Sequence, residues 1–315
     1  MFSIKQPNHI IIGKNSAYEF QFPDNSLLIT SNGAKSRHWI EYLNIGKNIT
    51  IFDQVENNPS MDTVNKILEE FTNADFSCVI GLGGGSCLDV AKYVGYKMNK
   101  KKILIPTTFG SGSEVTRISV LKINGKKKSF HDDDLIADIA IEDSYFLKNT
   151  PEKIFNNSVI DSCAQATEAY DSRNSNPYTK FLCEIAFEKL EFGILNGNEE
   201  SIVLGSLYCG LGFGNASTTL GHALSYVFSN EGISHGHALA FTTIAAHNFN
   251  KSQFYLRFKN LVKVLNFEKI SINQNLDNAS ELILSDRKHL DNNPLEVSKN
   301  DIIDILKQIN NQNSV

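Results

Sequence analysis

The N-terminal half of the chain alternates short β-branched runs with amphipathic stretches. NSLLITS (25–31) predicts a strand, followed after a polar turn by the helical stretch AKSRHWIEYL. NITIFDQV (48–55) predicts a second strand, and MDTVNKILEEF (61–71) places its apolar residues at helical spacing. DFSCVIGL (75–82) is a third strand that runs into glycines, DVAKYVGYKM (89–98) a helix, and KKILIPTT (101–108) a fourth strand. Strand–helix alternation of this kind specifies a parallel sheet with helices on both faces, a Rossmann-like α/β unit.

Near TPEKI the pattern changes. From Pro151 onward helical periodicity dominates, and Pro151 suits a first helical position. The expected division is an α/β unit at 1–152 and an all-helical unit at 153–315. The last helix, SKNDIIDILKQI, has Ser298 as its N-cap with Asp301 three residues on. NGKKKS (124–129) reads as a solvated hairpin turn.

Composition adds exclusions. The chain has 315 residues, 41% hydrophobic and 21% charged, the balance of an ordinary globular protein. Its 30 Lys plus Arg against 35 Asp plus Glu give −5, which argues against a broad nucleic-acid surface. No apolar run reaches the ~20 residues that span a bilayer. The N-terminus lacks a secretory h-region, and the five scattered cysteines never form C-x-x-C, so a cytoplasmic protein with reduced thiols is expected.

Candidate chemistry sits in four places. In GLGGGSCLDVAK (81–92) a strand meets glycines and a following helix, which lets the backbone and the helix N-terminus approach a diphosphate. A merely tight turn has the same look, and the spacing is not G-x-G-x-x-G. PTTFGSGSEVT (106–116) is a second glycine-rich loop with small hydroxylated residues, and two such loops on neighbouring strands suit the ligand crevice of an open α/β sheet. Asp161, Gln165 and Glu168 fall at i, i+4 and i+7 on one helix face, in a small and apolar context that suits a buried helix. His222, His235 and His237 gather three of the eight histidines within 16 residues, as a metal or acid–base site does, and as hydrogen-bonded core histidines also do.

The ordered set GGGS-x-x-D, P-T-T-x-G-S-G-S-E, D-x-x-x-Q-x-x-E, G-H-A and H-G-H-A resembles the iron-containing (group III) alcohol dehydrogenase family, and the similarity runs from the first strand to NNPLEVSKNDIIDIL. The resemblance implies a dehydroquinate-synthase-like architecture, NAD(P)H-linked reduction of a small aldehyde, and a homodimer. It implies that Gly83, Gly84, Gly85 and Ser86 hold the cofactor diphosphate, that Asp89 lies near the nicotinamide, and that Thr107, Thr108 and Ser111 contact the nucleotide. It implies one divalent ion on Asp161, Gln165, His222 and His235, with His237 as a proton relay. Most members carry His where this chain has Gln165 and Tyr226. An amide oxygen is a harder donor than imidazole and favours Fe²⁺ over Zn²⁺.

Within the family, DSCAQATEAYDSRNSNP, HALSYVFSNEGISHGHALAF and RKHLDNNP look most like the phosphonoacetaldehyde reductase branch, which makes 2-hydroxyethylphosphonate. A phosphonate needs cationic contacts, for which Lys128, Arg117 and Arg173 are candidates by charge. A general short-chain alcohol or diol dehydrogenase, and a shortened nucleotide-binding paralogue with little turnover, are the alternatives. The first strand ends at Thr30, Ser31 and Asn32, with Lys35 and Arg37 close behind and no carboxylate against a 2′-phosphate, which leans the cofactor from NADH toward NADPH.

Overall fold

A computed structural model describes residues 1–46 and 48–311. The described chain divides into two compact units, Met1–Pro151 and Glu152 onward. The first contains β1 (His9–Ile12), α1 (Ser16–Glu19), β2 (Ser26–Ile29), α2 (Asn32–Ser36), α3 (Trp39–Tyr42), β3 (Ile49–Phe52), α4 (Met61–Glu70), β4 (Cys78–Gly83), α5 (Gly85–Lys97), β5 (Lys101–Pro106), β6 (Ile118–Ile123), β7 (Lys126–His131) and β8 (Ile139–Glu142). Six strands form one parallel sheet in the order β1-β8-β5-β4-β2-β3. The chain steps outward from β2 to β3 and then returns to build β4 on the other side of β2. That reversal is the kind of switch point at which open α/β sheets bind ligands.

The predicted strands and helices are present with shifted ends; α5 begins at Gly85, four residues before the predicted helix start. The stretch read as one helix after β2 is two, because His38 takes a left-handed conformation (φ 57°) between α2 and α3. β1 and β8, four residues each, were not anticipated; they pair with each other from His9–Ile139 to Ile12–Glu142. The basic turn is a hairpin, with Asn124 and Gly125 both at positive φ between β6 and β7. Leu27, Ile29, Val79, Leu88, Ala91 and Leu104 are fully or nearly fully buried in the core that joins α5 to the sheet.

The second unit is helical: α6 (Glu152–Asp171), α7 (Pro177–Asn196), α8 (Glu199–Phe213), α9 (Leu220–Asn230), α10 (His235–Asn250), α11 (Tyr255–Val264), α12 (Leu276–Leu284), α13 (Arg287–Asn292) and α14 (Lys299–Asn311). Pro151 stands just before α6 rather than inside it. Residues 162–169 of α6 are buried without a break, so this helix is covered on all sides. α14 opens with the expected capping box: Ser298 Oγ accepts from the Asp301 amide at 3.2 Å, and Asp301 accepts from the Ser298 amide at 2.9 Å. The five cysteines are buried thiols outside any disulfide, and none of the described helices is long and apolar enough to cross a membrane.

Candidate functional site

In the first unit, register brings the two glycine-rich loops together. Gly83 pairs with Pro106 at the ends of β4 and β5, so both loops leave the sheet side by side, and the Thr107 amide donates to the Gly83 carbonyl at 3.0 Å. Gly83 has φ +149°, and a side chain there would strike Cys87 Sγ at 2.7 Å. A Cβ on Gly84 would lie 2.9 Å from Thr108 Oγ1, and one on Gly85 2.8 Å from Ser111 Oγ. The turn therefore needs three glycines to lie against the second loop. α5 starts at Gly85, with its first amides at this turn. Ser86 Oγ accepts from the Asn58 amide at 3.3 Å, and Ser31, at the end of β2, sits beside Cys87.

Asp89 also has a structural role. Its carboxylate is buried, accepts from Ser113 Oγ (2.6 Å) and the Val120 amide (3.0 Å), and faces the ammonium of fully buried Lys92 at 3.5 Å. Asp89 thus ties α5 to the second loop and to the hairpin. Lys128 stays on the exposed hairpin with its ammonium over the Phe130 ring (5.4 Å), and no contact joins it to the glycine loops among the described residues. Arg117 is paired with Asp133 at 3.1 Å.

The β2 end holds a carboxylate that local sequence did not reveal. Lys35 is bound by Asp53 at 2.9 Å, from the end of neighbouring β3, while Arg37 donates to the Gly33 carbonyl. The positive charge at this turn is therefore partly cancelled.

In the second unit, three helices bring donors to one point. Asp161 on α6, His222 on α9 and His235 at the first turn of α10 offer one atom each, all within 4.8 Å of one another. Each imidazole has its far nitrogen occupied. His222 Nδ1 bonds the Glu168 carboxylate, which also accepts from Thr219 Oγ1 (3.1 Å) and the Gly221 amide, and this leaves His222 Nε2 toward Asp161 at 3.7 Å. Ser225 gives its proton to the His222 carbonyl, so it accepts from His235 Nδ1 at 3.3 Å and the ring's other nitrogen carries the lone pair. Burial opposes charge on His222, but Glu168 and then Asp161 outweigh it and raise its pKa to about 9.

The glycines of both histidine motifs have a packing reason. A Cβ on Gly221 would meet Glu168 Oε1 at 2.5 Å, and one on Gly236 would overlap the Asn157 carbonyl at 2.1 Å. They let α9 and α10 press against α6 and so bring the histidines to Asp161. The donors are one carboxylate oxygen and two imidazole nitrogens, each imidazole oriented by a second partner; this set fits a divalent Fe or Zn ion. Gln165 adjoins it but turns its amide nitrogen to Asp161 (2.9 Å) and its oxygen to the Cys209 thiol (3.6 Å), so ligation through oxygen requires the amide to turn over.

His237 is not brought in. Two residues along α10 from His235, its Nε2 meets the Glu268 carbonyl at 2.5 Å and its ring packs on Phe267, which removes the expected relay from the cluster. Sequence reading missed His289 on α13, whose ring lies near-parallel to His222 at 6.2 Å. Its only sequence signal was a histidine three residues after Asp286.

A parallel α/β unit with a diphosphate-type glycine turn, followed by a helical unit with a divalent-ion donor set, defines a class of nucleotide-linked metalloproteins. The profile of iron-containing alcohol dehydrogenases matches residues 7–144, and that of the Fe-containing alcohol dehydrogenase family's C-terminal part matches 155–285. The chain belongs to the iron-containing alcohol dehydrogenase family. It is similar to 4-hydroxybutyrate dehydrogenase of Clostridium kluyveri (36% identical, covering 62% of this chain and 61% of the relative). It is also similar to sulfoacetaldehyde reductase of Bilophila wadsworthia (28% identical, covering 64% and 59%). The chain thus spans about three fifths of the length of the curated relatives it matches. Among solved structures, the NAD⁺ complex of sulfoacetaldehyde reductase from Bifidobacterium kashiwanohense shares the fold at TM-score 0.89, with 21% identity and coverage of 99% of this chain and 100% of that one.

Proposed function

We propose that the protein reduces a small aldehyde bearing an anionic tail to the primary alcohol, taking a hydride from NADH or NADPH and a proton from solvent. The observation that carries the reading is the donor set of Asp161, His222 and His235, with Glu168 fixing the His222 ring. A divalent ion held there, with Gln165 as a fourth donor, supplies Lewis-acid polarisation of the aldehyde oxygen. The chain's own part is to hold the dinucleotide at Gly83–Ser86 and Thr107–Ser111 and to fix the orientation of the donors.

Support for an anionic tail comes from two relatives, named for 4-hydroxybutyrate and for sulfoacetaldehyde, in which the reacting carbon and the anion lie at opposite ends of a short chain. Phosphonoacetaldehyde has the same plan and is the substrate favoured by the segments around Gln165, Tyr226 and His289. Arg173, with an exposed guanidinium, is the candidate cation. Asp53 beside Lys35 tempers the lean to NADPH, so both dinucleotides are expected to serve. A homodimer is the proposed assembly.

The test is anaerobic reconstitution with Fe²⁺ and dinucleotide oxidation with phosphonoacetaldehyde, sulfoacetaldehyde, succinic semialdehyde and acetaldehyde. Preference for an anionic aldehyde supports the reading. Turnover of acetaldehyde alone would leave a general short-chain alcohol dehydrogenase instead.

A further inference from the structure

His289 is 6% exposed, yet only one of its ring nitrogens is used. Its Nδ1 donates to Asp286 Oδ2 at 2.6 Å, and Asp286 also caps α13 by accepting from the His289 amide at 3.4 Å. With Nδ1 donating to a carboxylate, an uncharged ring carries its acceptor lone pair at Nε2. No hydrogen bond to Nε2 is made among the described residues. The ring sits at 16° to that of His222, 6.2 Å between centroids, and 5.9 Å from the Tyr226 ring. Nε2 is not among the buried polar atoms left without a partner, so it stays open to a ligand beside the donor group rather than being locked in the core. Nor is it in the mutually close donor group of Asp161, His222 and His235.

We propose that His289, oriented by Asp286, is a substrate-positioning residue: its Nε2 accepts a hydrogen bond from the hydroxyl of the primary alcohol and places that oxygen beside the donor cluster. The inference rests on the aldehyde-reductase reading. Asp286 performs for His289 what Glu168 performs for His222, and the two parallel rings then address different atoms, one the ion and the other the oxygen that approaches it.

The experiment uses the full chain loaded with Co²⁺, comparing wild type, His289→Phe, His289→Gln and Asp286→Asn. Binding of 2-hydroxyethylphosphonate and of 4-hydroxybutyrate is measured in the presence of dinucleotide, beside aldehyde turnover, the visible Co²⁺ spectrum and melting temperature. Loss of one neutral hydrogen bond predicts alcohol binding weaker by about three- to tenfold in His289→Phe. The Co²⁺ spectrum and dinucleotide affinity are expected to stay unchanged. His289→Gln, which keeps an acceptor, recovers most of the affinity, and Asp286→Asn falls between; both decide the matter if the Phe variant does not fold. Unchanged alcohol binding in these variants, or loss of Co²⁺ from them, overturns the inference while wild-type turnover leaves the reductase reading standing. A wild type that turns over none of the aldehydes overturns both.

Discussion

The two units build their candidate sites by opposite means. In the α/β unit, the surface for a ligand is backbone: glycines at the end of β4 packed against small hydroxylated residues after β5, with a helix N-terminus behind them. The buried Asp89 carboxylate nearby is engaged by Ser113 and Val120 within the unit. In the helical unit the surface is side chain, gathered from α6, α9, α10 and α13, and each imidazole is fixed by a further residue. A backbone site tolerates no added atom, whereas a side-chain site tolerates no lost partner. Substitutions that separate these two sensitivities test the comparison.

The largest effect is expected from His222→Ala. It removes a donor and leaves buried Glu168 without its partner, so metal affinity should fall by more than the ~100-fold that marks the upper end for a supporting residue. Dinucleotide binding should not change; a parallel loss of both, read by calorimetry, would break the division of labour. Glu168→Gln keeps the donor and loses its orientation, and a ~10–100-fold weaker metal affinity is expected. Gly85→Val is the converse case. Its side chain would push on Ser111, and overpacking of about 1–3 kcal/mol should reduce dinucleotide affinity while metal binding is retained.

A third contrast lies inside the α/β unit. Glu142, at the end of β8, is buried with neither carboxylate oxygen hydrogen-bonded among the described residues, and burial together with Glu114 raises its pKa well above 4.5. Burial likewise lifts Glu114 from 4.5 to about 7. Both carboxyls hold protons in the folded state that the unfolded chain gives up, so their effect on stability turns unfavourable as pH rises from about 4.5 through about 7. Glu142→Leu should remove part of that slope and raise stability at pH 8 by on the order of 1–3 kcal/mol. Denaturant melts of both proteins at pH 5 and 8 check it; an unchanged slope would show that this carboxyl is not buried as described. The smallest effect is expected from Asp53→Asn, which frees Lys35. Because the pair is solvent-exposed, the gain for NADPH over NADH should be at most about fivefold, read from the ratio of KM values.

How much was legible in the sequence follows the same line. The glycine loops were readable because they are contiguous and follow strands whose β-branched runs are plain. Asp161, His222 and His235 were readable because helical spacing and clustering flagged them, and the family likeness ordered them. What was missed was non-local. Asp89 looked like a site residue because it follows the glycine turn, and the fold also brings Ser113, Val120 and Lys92 to it. His237 shares a motif with His235, but two residues along a helix turn a side chain to another face, and it meets Glu268. Asp53 reaches Lys35 from a neighbouring strand, and His289 reaches His222 across some 67 residues of chain. Neither relation has a local pattern. β1 and β8 were missed for a related reason: at four residues each they are too short to show a period, and each is completed by the other.

The central claim is that Asp161, His222 and His235 hold one divalent ion. The most direct measurement is metal content and Co²⁺ spectroscopy of the stripped and reconstituted full chain, beside the His222→Ala/His235→Ala double variant. The account predicts one ion per chain, with the bands of a mixed nitrogen–oxygen ligand field, and no bound ion in the double variant. A wild type that takes up no stoichiometric ion, or a double variant that keeps one, would contradict it.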